Sequence, residues 1–196
     1  LPDLMKRCAK ALELKKLTQR PAAKNDLNVN DQDVLPLVGK TPIMQGVYRL
    51  VAGLMNADFP ILICGESGTG KTLISQTLHN FSDRRHLPFI TASESDLIEI
   101  EGPSKILARA KGGTILFEQI SDITEECQGR LVRMIDNQLD LSPHFIATLN
   151  EDANQAVEKG LIRRDLFYRL SGATIQIPAL RERVDDIVIL SDFFLA

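Results

Sequence analysis

The pattern with the most chemical content is Gly65-Glu66-Ser67-Gly68-Thr69-Gly70-Lys71-Thr72. Its glycines let successive backbone N–H groups turn inward around phosphate oxygens, because no Cβ blocks the approach. Lys71 can reach β- and γ-phosphates as a point charge, and the Thr72 hydroxyl can take a position on Mg²⁺. Ile61-Leu62-Ile63-Cys64 before the loop reads as a strand, and Leu73, Ile74, Thr77 and Leu78 after it as a helix face, the context this motif requires. The helix N-terminus adds the positive end of its dipole to the attraction. A glycine-rich turn without a ligand is the bland alternative, and the joined strand, loop and helix argue against it.

Such a loop needs an acid at the end of a second strand to complete the Mg²⁺ shell, followed in hydrolysing proteins by a glutamate that polarises water. Gly112-Gly113-Thr114-Ile115-Leu116-Phe117 supplies the strand, but Glu118-Gln119 follows it. Glu118 can hold Mg²⁺ with a side chain one methylene longer than aspartate, whereas the Gln119 amide cannot accept a proton from water. Nucleotide binding is therefore expected to survive better than hydrolysis.

The elements that would position these residues follow from the hydrophobic pattern. The chain has 196 residues, 44% hydrophobic and 25% charged, which excludes collagen-like, disordered and disulfide-dense classes. Strands are predicted at residues 60–64, 88–91, 114–117, 144–148 and 174–177. Helices are predicted at 71–80, 104–110, 124–136, 152–158 and 164–170, giving a five-stranded parallel α/β sheet. Thr41 is placed to cap a further helix with Pro42 at its first position and Ile43, Val47, Leu50, Val51 and Leu54 on its apolar face.

Residues 1–20 form an amphipathic stripe and 21–33 read as a linker, so the predicted organisation is 1–20 helix, 21–33 linker, 34–180 α/β core and 181–196 the start of a further helical element. Residues 1–26 carry a net charge of +4 within an overall −3, so no global basic field attracts nucleic acid. Cys8, Cys64 and Cys127 are far apart, and His79, His86 and His144 lack metal-ligand spacing, which argues against disulfides and zinc. No apolar run reaches membrane-spanning length. A soluble, cytoplasmic chain that is a piece of something longer is expected.

With these motifs in place, the region from about Val34 onward resembles the central AAA+ domain of NtrC-type bacterial enhancer-binding transcription activators. The resemblance rests on Leu37-Val38-Gly39-Lys40-Thr41-Pro42-Ile43-Met44, GESGTGK at 65–71, GGT at 112–114 and Ala147-Thr148-Leu149-Asn150. It rests further on RRDLFYRL at 163–170 and Ile177-Pro178-Ala179-Leu180-Arg181-Glu182-Arg183. It implies ATP and Mg²⁺ as ligands, Val38 and Gly39 against the adenine, and Asn150 as the residue that reads the γ-phosphate. It also implies Arg163 and Arg169 as arginines reaching a neighbouring subunit's nucleotide, a task that suits a guanidinium fork. Surface ion pairing is the alternative for both arginines. Leu1–Arg20 resembles the last helix of a receiver domain or a signalling helix, which implies a sensor histidine kinase as partner, a DNA-binding domain outside this sequence, and self-assembly from dimer to ring. Arg181-Glu182-Arg183 followed by Val184-Asp185-Asp186 resembles the family's entry to a helical lid, so 181–196 is expected to be the start of a truncated lid, with a mixed-charge helix start as the alternative.

Three departures shape the expected function. The family's GAFTGA loop, which contacts the nitrogen-type sigma factor, is missing, since only the 18 residues 94–111 separate Ser93 from Gly112. The companion loop is cut to residues 138–143. Ser93 and Gln119 stand where the family has the asparagine and glutamate of its hydrolysis apparatus. The resemblance then implies an ATP-binding assembly module of a two-component regulator that works with the housekeeping RNA polymerase, with hydrolysis weak or lost. The alternative is an active AAA+ mechanochemical ATPase that remodels a protein partner.

Overall fold

The computed structural model describes residues 37–137 and 143–195. The expectations for the helix at 1–20, the linker at 21–33 and most of the shortened loop at 138–143 lie outside the described residues. Five strands, β1 (Ile61–Cys64), β2 (Phe89–Ala92), β3 (Thr114–Phe117), β4 (His144–Leu149) and β5 (Ala173–Gln176), form one sheet in the order β2-β3-β4-β1-β5. Every pairing is parallel. The three inner strands, β1, β3 and β4, are buried throughout, as continuous apolar runs in a sheet covered on both faces require.

Alternation along the strands sends side chains to two apolar layers. On one face Leu62, Ile115, Phe117, Phe145 and Ala147 pack with residues of α4 (Gly102–Ala110), α5 (Glu125–Asp136), α6 (Ala153–Glu158) and α7 (Arg164–Leu170). On the other, Ile61, Ile63, Leu116, Ile146 and Ile175 pack with α1 (Pro42–Leu54) and α2 (Lys71–Asn80). The short α3 (Glu94–Ile98) follows β2, and α8 (Asp186–Leu195) follows β5. Among the described residues no helix is long and apolar enough to cross a membrane.

All five predicted strands are found within one residue of their expected bounds, and the expected helices within two. Two details differ. The buried face of α1 is Met44, Val47 and Val51, whereas Ile43 and Leu50 are exposed. Thr41 does occupy the N-cap, but its hydroxyl donates to Asp186 Oδ2 at 2.7 Å rather than accepting from the helix. The buried carboxylate is the stronger acceptor partner for that hydroxyl.

The chain enters the sheet at β1, crosses to the edge strand β2, returns through β3 and β4, and then passes β1 to reach β5. The direction reverses beside β1, so a crevice opens at the carboxyl ends of β1 and β4, where ligands of such sheets bind. The opposite end is closed by two buried histidines. His79 Nδ1 meets Thr114 Oγ1 at 2.9 Å, and His144 Nε2 lies 3.2 Å from the Phe59 carbonyl.

Burial is the main reason the His144 pKa falls from 6.5 to about 4. An unfolded chain therefore takes up a proton at this residue between those two values that the folded chain does not, and the stability present above pH 6.5 is lost as pH falls toward 4. Urea unfolding is expected to show a loss of up to about 3 kcal/mol across this window that a His144→Gln variant lacks.

Candidate functional site

Four strand ends converge on the loop 65–72. The Gly65 N–H donates to the Leu149 carbonyl at 3.1 Å, and the Ile177 N–H donates to the Cys64 carbonyl at 2.8 Å, so the loop is tied to β4 and to the segment after β5. A Cβ on Gly65 would lie 2.8 Å from the Ile177 carbonyl, which leaves no room for a side chain. Gly68 and Gly70 have φ of +80° and +103°, the left-handed region that glycine enters without strain. Thr69 closes the turn, its Oγ1 donating to the Glu66 carbonyl at 2.7 Å.

Lys71 opens α2 with its side chain folded back under the loop. Its Nζ donates to the carbonyls of Gly65 at 2.7 Å and Glu66 at 2.9 Å and to Asn150 Oδ1 at 2.7 Å. Burial pulls the Lys71 pKa below the ordinary lysine value, and neighbouring acidic groups, Glu118 among them, oppose that pull. The result is a largely buried cation held by two loop carbonyls and one side-chain amide oxygen. Asn150, at the end of β4, is thereby brought to the loop as the sequence suggested.

Thr72 Oγ1 donates to Glu118 Oε1 at 2.7 Å, so the two oxygen ligands expected for a divalent cation are in contact. Gln119 has a left-handed backbone, φ +53°, its N–H held by Thr148 Oγ1 at 3.0 Å and its Nε2 donating to Ser121 Oγ at 3.2 Å. Ser93 is not joined to it. The Ser93 hydroxyl and the Ser93 N–H both donate to Asp96 Oδ2, each at 2.9 Å, which ties the N-cap residue to the first turn of α3. Ser93 and Gln119 are thus each held by a different neighbour, Asp96 and Ser121.

Arg163 caps α7, and its guanidinium grips Asp165 through Nε at 3.0 Å and Nη2 at 2.8 Å, with Glu125 at 3.7 Å. Arg169 pairs with Asp136 at 2.5 Å. Within one chain both arginines are held by acids of α5 and α7, away from the loop. The fully satisfied amide of Gln128, which bonds the carbonyls of Ile123 and Leu161 and the N–H of Arg163, fixes where Arg163 leaves the backbone.

Val38 and Gly39 are half-buried just before α1. Sequence reasoning passed over the groups that border them. Arg181 forms a bidentate pair with Glu66, Arg183 donates from Nη2 to the Thr69 carbonyl at 3.2 Å, and Asp186 accepts the N–H groups of Lys40 and Thr41. The run Arg181 to Asp186 resembled the entry to a helical lid, but these partners, more than a hundred residues away in sequence, left no local signal.

A family model described as the sigma-54 interaction domain matches residues 38–180. The chain belongs to this family. It is 34% identical to the DNA-binding transcriptional regulator NtrC of Rhizobium meliloti (strain 1021), across 86% of this chain and 40% of that protein. It is 35% identical to NtrC of Azospirillum brasilense, across 82% of this chain and 39% of that protein. The chain thus spans about two fifths of the length of these relatives. Among solved structures, NtrX from Brucella abortus in complex with ADP superposes with a TM-score of 0.73 at 24% identity, covering 98% of this chain and 46% of that one. That likeness supports the fold, a five-stranded parallel AAA+ sheet with flanking helices.

The crowding at Gly65 gives a direct test of the loop. Gly65→Ala is expected to lower stability by about 2 kcal/mol, because the Ile177 carbonyl or the loop must move, and to lower the melting temperature by several degrees. Gly68→Ala meets open space and only backbone strain, and is expected to cost about 1 kcal/mol by the same thermal melt.

Proposed function

We propose that this chain is the ATP-binding and self-assembly domain of an NtrC-type two-component transcription regulator, in which Mg-ATP acts as an assembly ligand with little or no turnover. The observation that carries the reading is an intact phosphate loop paired with an amide at position 119. The ADP held by the Brucella abortus relative agrees with a nucleotide at this place.

The residues present fit the ligand. Backbone amides of Glu66, Ser67, Gly68 and Gly70 would face the phosphates, the Gly65 and Thr69 N–H groups shaping the loop through the carbonyls of Leu149 and Glu66, and Lys71 would exchange a carbonyl partner for a phosphate oxygen. Thr72 and Glu118 would hold Mg²⁺, which would supply positive charge to neutralise the phosphates. Asn150, already bonded to Lys71, sits where a γ-phosphate can be read, and Val38 and Gly39 face the base. Arg163 and Arg169 serve a neighbouring copy, and Asp165, Glu125 and Asp136 are the acids they leave in order to do so. Assembly on this account trades intrachain ion pairs for bonds to a triphosphate across the interface.

The domain is further proposed to act with the housekeeping RNA polymerase. Between β2 and β3 lie only α3, α4 and the short joints at residues 93, 99–101 and 111–113, so no extended loop projects there to engage the alternative sigma factor. DNA contact and the response to a sensor histidine kinase belong to parts of the protein outside this sequence.

Phosphate release from Mg-ATP at saturating nucleotide is the test, on protein whose ATP binding has been confirmed, beside Gln119→Glu. The native chain is expected to bind without appreciable turnover, and the variant to gain turnover by roughly tenfold or more as a general base is restored. Brisk turnover by the native chain would overturn the reading in favour of a motor that remodels a protein partner.

A further inference from the structure

The six residues 181–186 touch both ends of the proposed nucleotide site. At the phosphate end, Arg181 pairs with Glu66, and Arg183 holds the Thr69 carbonyl at 3.2 Å. At the other end, the Asp186 carboxylate accepts the Lys40 N–H at 2.6 Å, the Thr41 N–H at 3.0 Å and the Thr41 hydroxyl at 2.7 Å. Arg183 and Asp186 stand one helical turn apart, the Asp186 N–H donating to the Arg183 carbonyl at 2.9 Å. The loop and the Val38–Thr41 segment are therefore held within a turn of each other by one short stretch of chain.

The Asp186 side chain is fully buried. Burial alone would raise its pKa, yet the hydrogen bonds from Thr41 and Lys40 and the nearby Arg183 charge together hold it below the usual aspartate value. It is an ionised group sealed against the segment it organises. A Cβ on Gly39 would lie 3.0 Å from Asp186 Oδ2 and 2.8 Å from the Tyr48 hydroxyl, so the segment has one seat and Asp186 is a wall of it. Beside it, Arg183 is also buried, and its Nε has no hydrogen-bond partner among the described residues. A buried donor without an acceptor next to a buried carboxylate is a contact that a small displacement of α8 could complete.

We propose that Asp186 is a positioning residue for base recognition, coupling the seat of α8 to the base-facing segment Val38–Gly39 while the phosphate loop binds independently of it. This rests on the reading of Val38 and Gly39 as the residues that face the base. It assigns the first residue of α8 a role in ligand specificity: the base is gripped when α8 is docked, and the phosphates can be held when it is not.

The test is displacement of a fluorescent ATP analogue by Mg-ATP and by inorganic tripolyphosphate, on the native chain, Asp186→Asn and Thr41→Val, with a thermal melt of each. Asp186→Asn keeps the shape but loses the charge and one acceptor; it is expected to weaken Mg-ATP by about tenfold or more. Thr41→Val, which removes one of the three donors, is expected to weaken it by about threefold. Tripolyphosphate is expected to stay within about twofold in both variants, which a general loss of structure would not allow. Equal weakening of both ligands, or unchanged ATP affinity in Asp186→Asn, would overturn the inference. Failure of the native chain to bind either ligand would instead overturn the proposed function on which the inference rests.

Discussion

The structure turns on one buried ammonium. Lys71 is largely buried, and a charge there is tolerated only where acceptors surround it. Those acceptors come from three places: the loop carbonyls of Gly65 and Glu66, and the side chain of Asn150 at the end of a different strand. For them to meet, β1 and β4 must be neighbours in register, and the loop must curl over the head of α2 rather than run on. The parallel pairing of β1 with β4, with Cys64 opposite Leu149, satisfies the first condition, and the left-handed glycines satisfy the second.

The same requirement explains the layering around the site. Apolar packing on both faces of β1 fixes the strand end to within a fraction of an ångström, since well-packed interiors deform little. The segment after β5 then closes over the loop through the Ile177–Cys64 backbone bond and the arginines at 181 and 183. What the fold builds is a glycine-rich loop clasped on one side by β4 and on the other by residues 177–183. Ser93 bonds Asp96 at the start of α3, Gln119 bonds Ser121, and Glu118 accepts the Thr72 hydroxyl; on the proposed function, the part that would hold a cation is kept and the part that would activate water is not.

The loop was legible in the sequence because its chemistry is local. Glycine spacing, the apolar strand before it and the periodic helix after it sit within twenty residues and need no tertiary information. The inner strands were equally legible as short apolar runs between turn residues. The five-residue α3 was passed over, although Ser93 and Asp96 at a three-residue spacing are a capping signature. Ile43 and Leu50 fit the apolar stripe of α1 by periodicity and yet face outward, because the stripe is wider than the contact that α2 and the sheet provide. The Asp186 contacts were not legible, because a carboxylate 145 residues from its partner carries no local pattern. The same holds for the arginines at 163 and 169, whose acidic partners in α5 appear only once α5 and α7 pack together.

The central claim is that Lys71 is held in a ring of neutral acceptors ready for a triphosphate. Isothermal titration of Mg-ATP into the native chain and into Lys71→Ala tests it most directly. The account predicts saturable one-site binding by the native chain and a loss of roughly 10- to 100-fold in the variant, the span of a charge-assisted hydrogen-bond set. Equal affinity in the two proteins, or no heat of binding in the native chain while its melting transition is intact, would contradict it.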